Sequence, residues 1–105
     1  MEKNGINLLL VEDEDFLASA GIKLLNAYGY SVVHMDSGLK AIDYLSSGKK
    51  VHAVLMDINL GNAPDGIDTA DIILKDRDIP IIFMSSESDR ETIKRTEALM
   101  TYGFI

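Results

Sequence analysis

The sequence LLLVEDED at residues 8–15 places four apolar residues directly before four acidic ones. The short apolar run over residues 6–11 indicates a strand buried on both faces, as in a parallel sheet. Neighbouring carboxylates repel one another, so the four acids raise the free energy unless a helix N-terminus, a cation or water offsets their charge. The stretch therefore predicts a buried strand that ends at a strongly acidic loop.

Composition limits the kinds of protein that could contain this stretch. The chain has 105 residues and is 47% apolar, which suits one folded domain over residues 1–105. The net charge of −7 argues against nonspecific binding to nucleic acid or an anionic membrane, and the absence of cysteine excludes thiolate metal sites. The N-terminal segment lacks the apolar core of a signal peptide, and no apolar run is long enough to span a bilayer. We therefore expect a cytoplasmic location.

Strand patterns and helix patterns alternate along the chain. Strands are predicted at residues 6–11, 30–35, 51–56 and 79–84, with a fifth beginning at residue 102. Helices are predicted at residues 15–28, 38–47, 67–75 and 88–100. This order implies right-handed crossovers, and it predicts an α/β fold with a doubly wound parallel sheet.

Helical spacing predicts which side chains the helices bury. On the third helix, four residues are expected to face the core: Ile67, Ala70, Ile73 and Leu74. Ser37 is expected to cap the start of the second helix, and Gly29 is expected to end the first. The apolar residues that predict a buried face on the first helix are Leu17, Ala20, Leu24, Leu25 and Tyr28.

Polar residues stand at the carboxyl ends of three predicted strands, where parallel sheets bind their ligands. Glu12 and Asp13 follow the first strand, Asp57 follows the third, and Ser85 follows the fourth. Three carboxylates at adjacent strand ends suit Mg²⁺, and a cation would also offset their mutual repulsion. Asp57 fits a carboxylate nucleophile for a phosphoryl group, and the hydroxyl of Ser85 could bond a phosphoryl oxygen.

Each of these residues also has an ordinary structural interpretation. Asp13 or Asp15 could cap the first helix, where acids suit the helix dipole. Asp57 could begin a turn, and Ser85 could be a turn or cap residue. His34 has no partner at ligand spacing and is expected to be structural. Only the occurrence of the acids and the serine together, at three strand ends in this order, favours a functional site.

Five stretches form a common pattern: LLLVEDED at 8–15, VLMDINL at 54–60, DGID at 65–68, IPIIFMSS at 79–86 and YGFI at 102–105. In this set and order they resemble the receiver domain of two-component response regulators. The resemblance covers essentially the whole chain and implies the flavodoxin-like (βα)5 receiver fold. It gives Asp57 the role of phospho-acceptor, Ser85 that of switch hydroxyl and Phe104 that of switch aromatic.

The resemblance also implies a metal site and partners. Asp13, Asp57 and the backbone carbonyl of Asn59 would hold Mg²⁺, with Glu12 acting mainly through water. Asn59 and Glu87 would tune hydrolysis of the phosphoryl group. A histidine kinase or phosphotransfer protein would be the donor, and an output domain or partner would bind the face of the fourth helix and fifth strand. Such a domain is not an enzyme beyond catalysing its own phosphorylation and dephosphorylation.

The sequence departs from the family pattern in two places. The loop after the acceptor carries Gly61 where Pro is common and is one residue longer, which resembles receivers attached to sensor kinases. The family's Lys and its last helix would come after Ile105, so the resemblance implies a C-terminally incomplete domain, and Lys94 is not placed to replace that Lys. An uncovered sheet face would favour a homodimer.

Two other functions fit part of the pattern. A receiver-like interaction module that is never phosphorylated would keep the fold and bind partners through the fourth helix. A haloacid dehalogenase-like phosphatase would use the DED at residues 13–15, with Asp13 as the covalent site. Against the phosphatase, Phe16 follows where that family has Thr or Val. The sequence contains no DNA-binding motif, so direct contact with nucleic acid is not expected.

Overall fold

A computed structural model of the chain describes residues 3–84, 94–95 and 103–104. Within these residues the chain forms five strands and three helices, and Lys94 and Arg95 are helical as predicted. The bounds of the first six elements lie within two residues of the predicted ones. The elements are β1 (Asn7–Val11), α1 (Asp15–Ala27), β2 (Ser31–Met35), α2 (Gly38–Ser46), β3 (Ala53–Asp57), α3 (Gly66–Asp76), β4 (Ile81–Met84) and β5 (Gly103–Phe104).

The strands form one parallel sheet in the order β2-β1-β3-β4-β5. After β1 the chain adds β2 on one side of it and then crosses back to add β3 on the other side. It continues in that direction through β4 and β5. Right-handed crossovers therefore place α1 on one face and α2 and α3 on the opposite face. The contact between α2 and α3 agrees with this arrangement. The predicted doubly wound, flavodoxin-like fold is confirmed.

The main core lies between the sheet and the pair α2 and α3. From the sheet it takes alternate residues of the three central strands: Leu9, Val11, Val54, Met56, Ile81 and Phe83. From the helices it takes Ala41, Leu45, Ile67, Ala70 and Ile73. The predicted buried face of the third helix is confirmed. Each fully buried Val, Leu, Ile, Met or Phe side chain adds about 1.5–3 kcal/mol to the free energy of unfolding. This face therefore dominates the stability of the domain.

The stripe predicted to be buried on α1 is largely exposed. Leu17, Leu24 and Tyr28 are 49%, 60% and 67% exposed. The sheet instead contacts a neighbouring stripe of α1 that contains Ala18 and Gly21. A Cβ added to Gly21 would lie 3.4 Å from the side chain of Leu10 in β1. Small residues allow α1 to lie close to the strands. The buried face is therefore displaced from the predicted stripe, of which Leu25 is half-buried and Ala20 is exposed.

The ends of α1 and α2 agree with two of the predicted signals. Ser37 Oγ accepts a hydrogen bond from the N–H of Lys40 at 3.2 Å, which caps α2. Gly29 follows the end of α1 with a φ of 92°, a left-handed conformation that favours glycine. Among the described residues, no helix has both the length and the apolar character that crossing a membrane requires.

Candidate functional site

The carboxyl ends of β1 and β3 bring three acidic side chains together. Val11 pairs with Met56 in the parallel register, so Glu12 and Asp13 lie beside Asp57, the last residue of β3. One carboxylate oxygen from each of the three acids lies within 4.8 Å of the other two. The structure thus assembles in one place the acids that the sequence assigned to separate strand ends.

Glu12 is the buried member of this cluster, with only 7% of its surface exposed. The pKa of its carboxyl is raised from 4.5 to about 7, first by loss of hydration and then by the nearby carboxylates of Asp57 and Asp13. The N–H of Glu14, which donates to Glu12 Oε2 at 3.1 Å, offsets part of this rise in the pKa. Near neutral pH, the cluster therefore favours a proton or a cation at Glu12.

Asp13 does not cap the first helix, so the interpretation of Asp13 as a helix cap is wrong. The N-cap residue of α1 is Glu14, whose side chain makes no capping hydrogen bond, and Asp15 is the first helical residue. The carboxylate of Asp13 turns instead towards the loop after β3, where Oδ2 accepts a hydrogen bond from the N–H of Gly61 at 2.8 Å. Asp13 is exposed, so this side of the cluster is open to solvent.

Asp57 makes a local contact that is typical of a turn. Its Oδ1 accepts a hydrogen bond from the N–H of Asn59 at 3.1 Å, and the side chain of Asn59 is exposed. Aspartate commonly bonds the backbone two residues further on when it begins a turn. Asp57 therefore both begins a turn and belongs to the acidic cluster. The contact orients the carboxylate at the end of β3.

A divalent cation fits the chemistry of this cluster. Carboxylate oxygens are hard ligands, and Mg²⁺ is usually held by one or two carboxylates together with several waters. The open side at Asp13 leaves space for such waters, while the buried side at Glu12 supplies charge without hydration. Burial is the main cause of the raised pKa of Glu12, but repulsion by Asp57 adds to it, and a cation would neutralise that repulsion.

The side chain of His34 supports the acidic loop by bonding to the backbone of that loop. Sequence reasoning missed this contact. Its Nε2 donates to the carbonyl oxygen of Glu12 at 2.7 Å, and the N–H of Glu12 donates to the carbonyl oxygen of Met35 at 3.1 Å. These bonds tie the end of β2 to the residue after β1. The structural role predicted for His34 is compatible with them, but residue spacing gave no sign of its partner.

The Asp-Gly pair that precedes α3 has a clear physical basis. Asp65 is the N-cap residue, and its Oδ1 accepts a hydrogen bond from the N–H of Asp68 at 2.8 Å. A Cβ on Gly66 would overlap the carbonyl oxygen of Asp57, so only glycine permits α3 to begin against β3. Arg95 Nη2 lies 3.3 Å from a carboxylate oxygen of each of Asp65 and Asp68, which links this helical residue to the start of α3.

The remaining predicted site residues lie wholly or partly outside the description. Ser85 and Glu87 follow β4 and are outside the described residues. Phe104 lies in β5 opposite Phe83, but its side chain is outside the description. Met84, directly before Ser85, pairs with Asp57 in the sheet register. The roles assigned to Ser85, Glu87 and Phe104 stay predictions.

The fold and the acidic cluster define a class of signalling domain, and comparison with known proteins agrees. The sequence model of the response regulator receiver domain matches residues 8–105. The chain belongs to the response regulator receiver domain family of two-component signalling.

Two relatives are much longer than this chain. The phyllosphere-induced regulator PhyR of Methylorubrum extorquens is 27% identical over 84 residues, which are 79% of this chain and 32% of that protein. The sensor kinase CckA of Brucella abortus is 27% identical over 99 residues, 93% of this chain and 10% of the kinase. The chain therefore spans less than a third of the length of either relative.

A solved structure gives the same result at the level of the fold. It is the N-terminal domain of a response regulator/sensory box/GGDEF three-domain protein from Carboxydothermus hydrogenoformans. It is 32% identical to this chain, with a TM-score of 0.86. The match covers 93% of this chain and 78% of that one.

Proposed function

We propose that this chain is a phospho-accepting receiver domain in which Asp57 receives the phosphoryl group. The observation that carries the proposal is the convergence of Glu12, Asp13 and Asp57 at the switch point of the sheet. Such a site needs little covalent machinery, because phosphoryl transfer depends mainly on positioning and on charge neutralisation. The family to which the chain belongs supports the same chemistry.

Asp57 would act as the nucleophile. One of its carboxylate oxygens forms a bond to phosphorus, the bond from phosphorus to the donor's imidazole nitrogen breaks, and the donor histidine leaves with that electron pair. The hydrogen bond from the N–H of Asn59 holds Oδ1, which favours Oδ2 as the attacking oxygen. The product is an acyl phosphate at the end of β3.

The acidic cluster would hold Mg²⁺ through Asp13, Asp57 and the backbone carbonyl of Asn59, with Glu12 acting mainly through water. When bound, the ion would neutralise the charge on the phosphoryl oxygens. Glu12 and Asp13 supply the negative charge that attracts the ion, on the buried and the exposed side respectively. The donor set consists of oxygens alone, which suits a hard cation.

The phosphorylated state would be transmitted and ended by residues around the site. Ser85 would move to bond the new phosphoryl oxygens, and Phe104 would follow, reshaping the face of the fourth helix and fifth strand. Asn59 and Glu87 would orient the water that hydrolyses the acyl phosphate. Its own phosphorylation and dephosphorylation would be the only reactions that the domain catalyses.

The proposed partners follow from the same chemistry. A histidine kinase or phosphotransfer protein would donate the phosphoryl group in the cytoplasm. An output domain or separate partner would bind the reshaped face, and a second copy of the chain is a candidate for that partner. A sensor kinase and a multidomain regulator among the relatives support these partners. The net charge of −7 disfavours direct contact with nucleic acid or membrane.

Intact-mass measurement tests the proposal. The chain, Asp57→Asn and Asp43→Asn would each be incubated with acetyl phosphate and Mg²⁺; Asp43 is an exposed carboxylate on α2 and serves as the control. We expect the parent and Asp43→Asn to gain one phosphoryl group and Asp57→Asn to gain none. An adduct that persists in Asp57→Asn but disappears in Asp13→Asn would favour the phosphatase. No adduct on the folded parent would favour the unphosphorylated interaction module.

A further inference from the structure

The loop from β3 to α3 is held firmly where it crosses the acidic cluster. The side chains of Ile58 and Leu60 belong to the main core and are 4% and 8% exposed. The N–H of Ile58 donates to the carbonyl oxygen of Met84 at 3.1 Å, and the carbonyl oxygen of Ile58 accepts from the N–H of Gly66 at 3.0 Å. The backbone at residue 61 therefore follows directly on anchored neighbours.

Gly61 brings this anchored backbone against Asp13. Its N–H donates to Asp13 Oδ2 at 2.8 Å, across 48 positions of sequence. A Cβ added at Gly61 would lie 2.9 Å from the same oxygen, closer than side chains normally approach. Proline at this position would remove the donor altogether. Glycine thus allows both the hydrogen bond and the close approach without pressing on the carboxylate.

We propose that the main-chain N–H of Gly61 is a positioning group that holds the carboxylate of Asp13 ready for a divalent cation. The identity of the cation rests on the proposed function. A carboxylate has about four lone-pair sites, so one hydrogen bond leaves ample capacity for a metal. Asp13 is exposed, so without this hydrogen bond its side chain would rotate freely. The bond restricts that rotation beforehand, so the side chain loses less conformational entropy when a cation binds.

Experience with metal sites gives the expected size of the effect. Hydrogen-bond partners of ligating carboxylates, when removed, typically weaken metal binding by about 10–100-fold. A contact that merely fastened the loop would change the stability of the domain and leave its affinity for cations unaltered. The affinity for Mg²⁺, measured apart from phosphorylation, therefore separates positioning from simple support.

Calorimetric titration with Mg²⁺ tests the proposal on the chain, Gly61→Pro and Asn62→Pro. The N–H of Asn62 meets no acceptor within the described part of the chain, so Asn62→Pro controls for added rigidity. We expect Gly61→Pro to raise the Kd for Mg²⁺ by about tenfold, with the Kd of Asn62→Pro close to that of the parent. A Kd for Gly61→Pro equal to the parent value, or an equal rise in both variants, would overturn the inference.

Amide hydrogen exchange provides a second test that does not depend on Gly61→Pro folding. We expect the N–H of Gly61 to exchange slowly in the parent and much faster in Asp13→Ala. Exchange in the parent at the rate of an unstructured glycine would overturn the proposal. A parent that binds no Mg²⁺ would overturn both this inference and the proposed metal site. Binding that is indifferent to Gly61→Pro would overturn this inference alone.

Discussion

The two faces of the sheet bury their helices in different ways. On the face of α2 and α3, large apolar side chains interlock with the central strands to form the main core. On the other face, α1 lies against the sheet through small residues and leaves Leu17, Leu24 and Tyr28 largely exposed. The loop that reaches the acidic cluster is anchored in the first of these faces through Ile58 and Leu60. The well-packed face thus determines the geometry of the site.

Two phenylalanines provide the largest contrast between the faces. Phe83, at 0% exposed, lies in the main core, whereas Phe16, at 83% exposed, lies in the first turn of α1. We expect Phe83→Ala to lower the free energy of unfolding by about 3–5 kcal/mol, because it leaves a cavity. Phe16→Ala should change it by less than about 0.5 kcal/mol. Urea denaturation checks both values, and similar losses for the two variants would refute the asymmetry.

Two glycines show the same difference between the faces at the level of the backbone. A Cβ at Gly66 would overlap the carbonyl oxygen of Asp57, while a Cβ at Gly21 on α1 would meet Leu10 at an ordinary 3.4 Å. We expect Gly66→Ala to destabilise the domain by about 3 kcal/mol, because α3 must move away from β3. Gly21→Ala should stabilise it by about 0.5 kcal/mol through helix propensity. Thermal melts of the two variants that shift in the same direction would contradict this account.

Glu12 gives a smaller effect, which depends on pH. Folding raises its pKa from 4.5 to about 7, so the folded chain binds more protons than the unfolded chain between these values. Without metal, this group should therefore lower the free energy of unfolding by about 2–3 kcal/mol as pH rises across that window. Denaturation in EDTA at a series of pH values measures the slope.

Matched variants isolate the contribution of Glu12. Glu12→Gln should remove most of the fall in stability with pH, while Glu14→Gln, at an exposed position of the same loop, should keep it. Saturating Mg²⁺ should also weaken the slope, because a cation neutralises the repulsion. Stability that rises with pH in the metal-free parent, and does so equally in Glu12→Gln, would show that the burial of Glu12 carries no such penalty.

Much of the fold and part of the site could be predicted from local patterns. The alternation of apolar runs and helical spacing determined the order of elements, and the topology then required strand ends to meet, which brought Glu12 and Asp13 to Asp57. The exposed stripe of α1 could not be predicted in this way. Its cause is the close approach allowed by Ala18 and Gly21, which no hydrophobic period reports.

The contacts that refine the cluster depend on the paths of loops. The bond from Gly61 to Asp13 joins residues 48 positions apart, and the bond from His34 to Glu12 joins residues 22 apart. Both depend on backbone atoms, whose positions the residue types do not encode. In the sequence, Gly61 differs from its surroundings only as a departure from the family pattern. Its close approach to the carboxylate of Asp13 follows from the path of the loop past the end of β1.

Chemical trapping can locate the acyl phosphate at a single residue. After reaction with acetyl phosphate and Mg²⁺, borohydride reduction converts a phosphorylated aspartate into homoserine, which peptide mass spectrometry can assign to one position. We predict homoserine at residue 57 and aspartate retained at residue 13. Homoserine at Asp13, or a phosphorylated chain in which Asp57 survives reduction unchanged, would contradict the assignment of the acceptor.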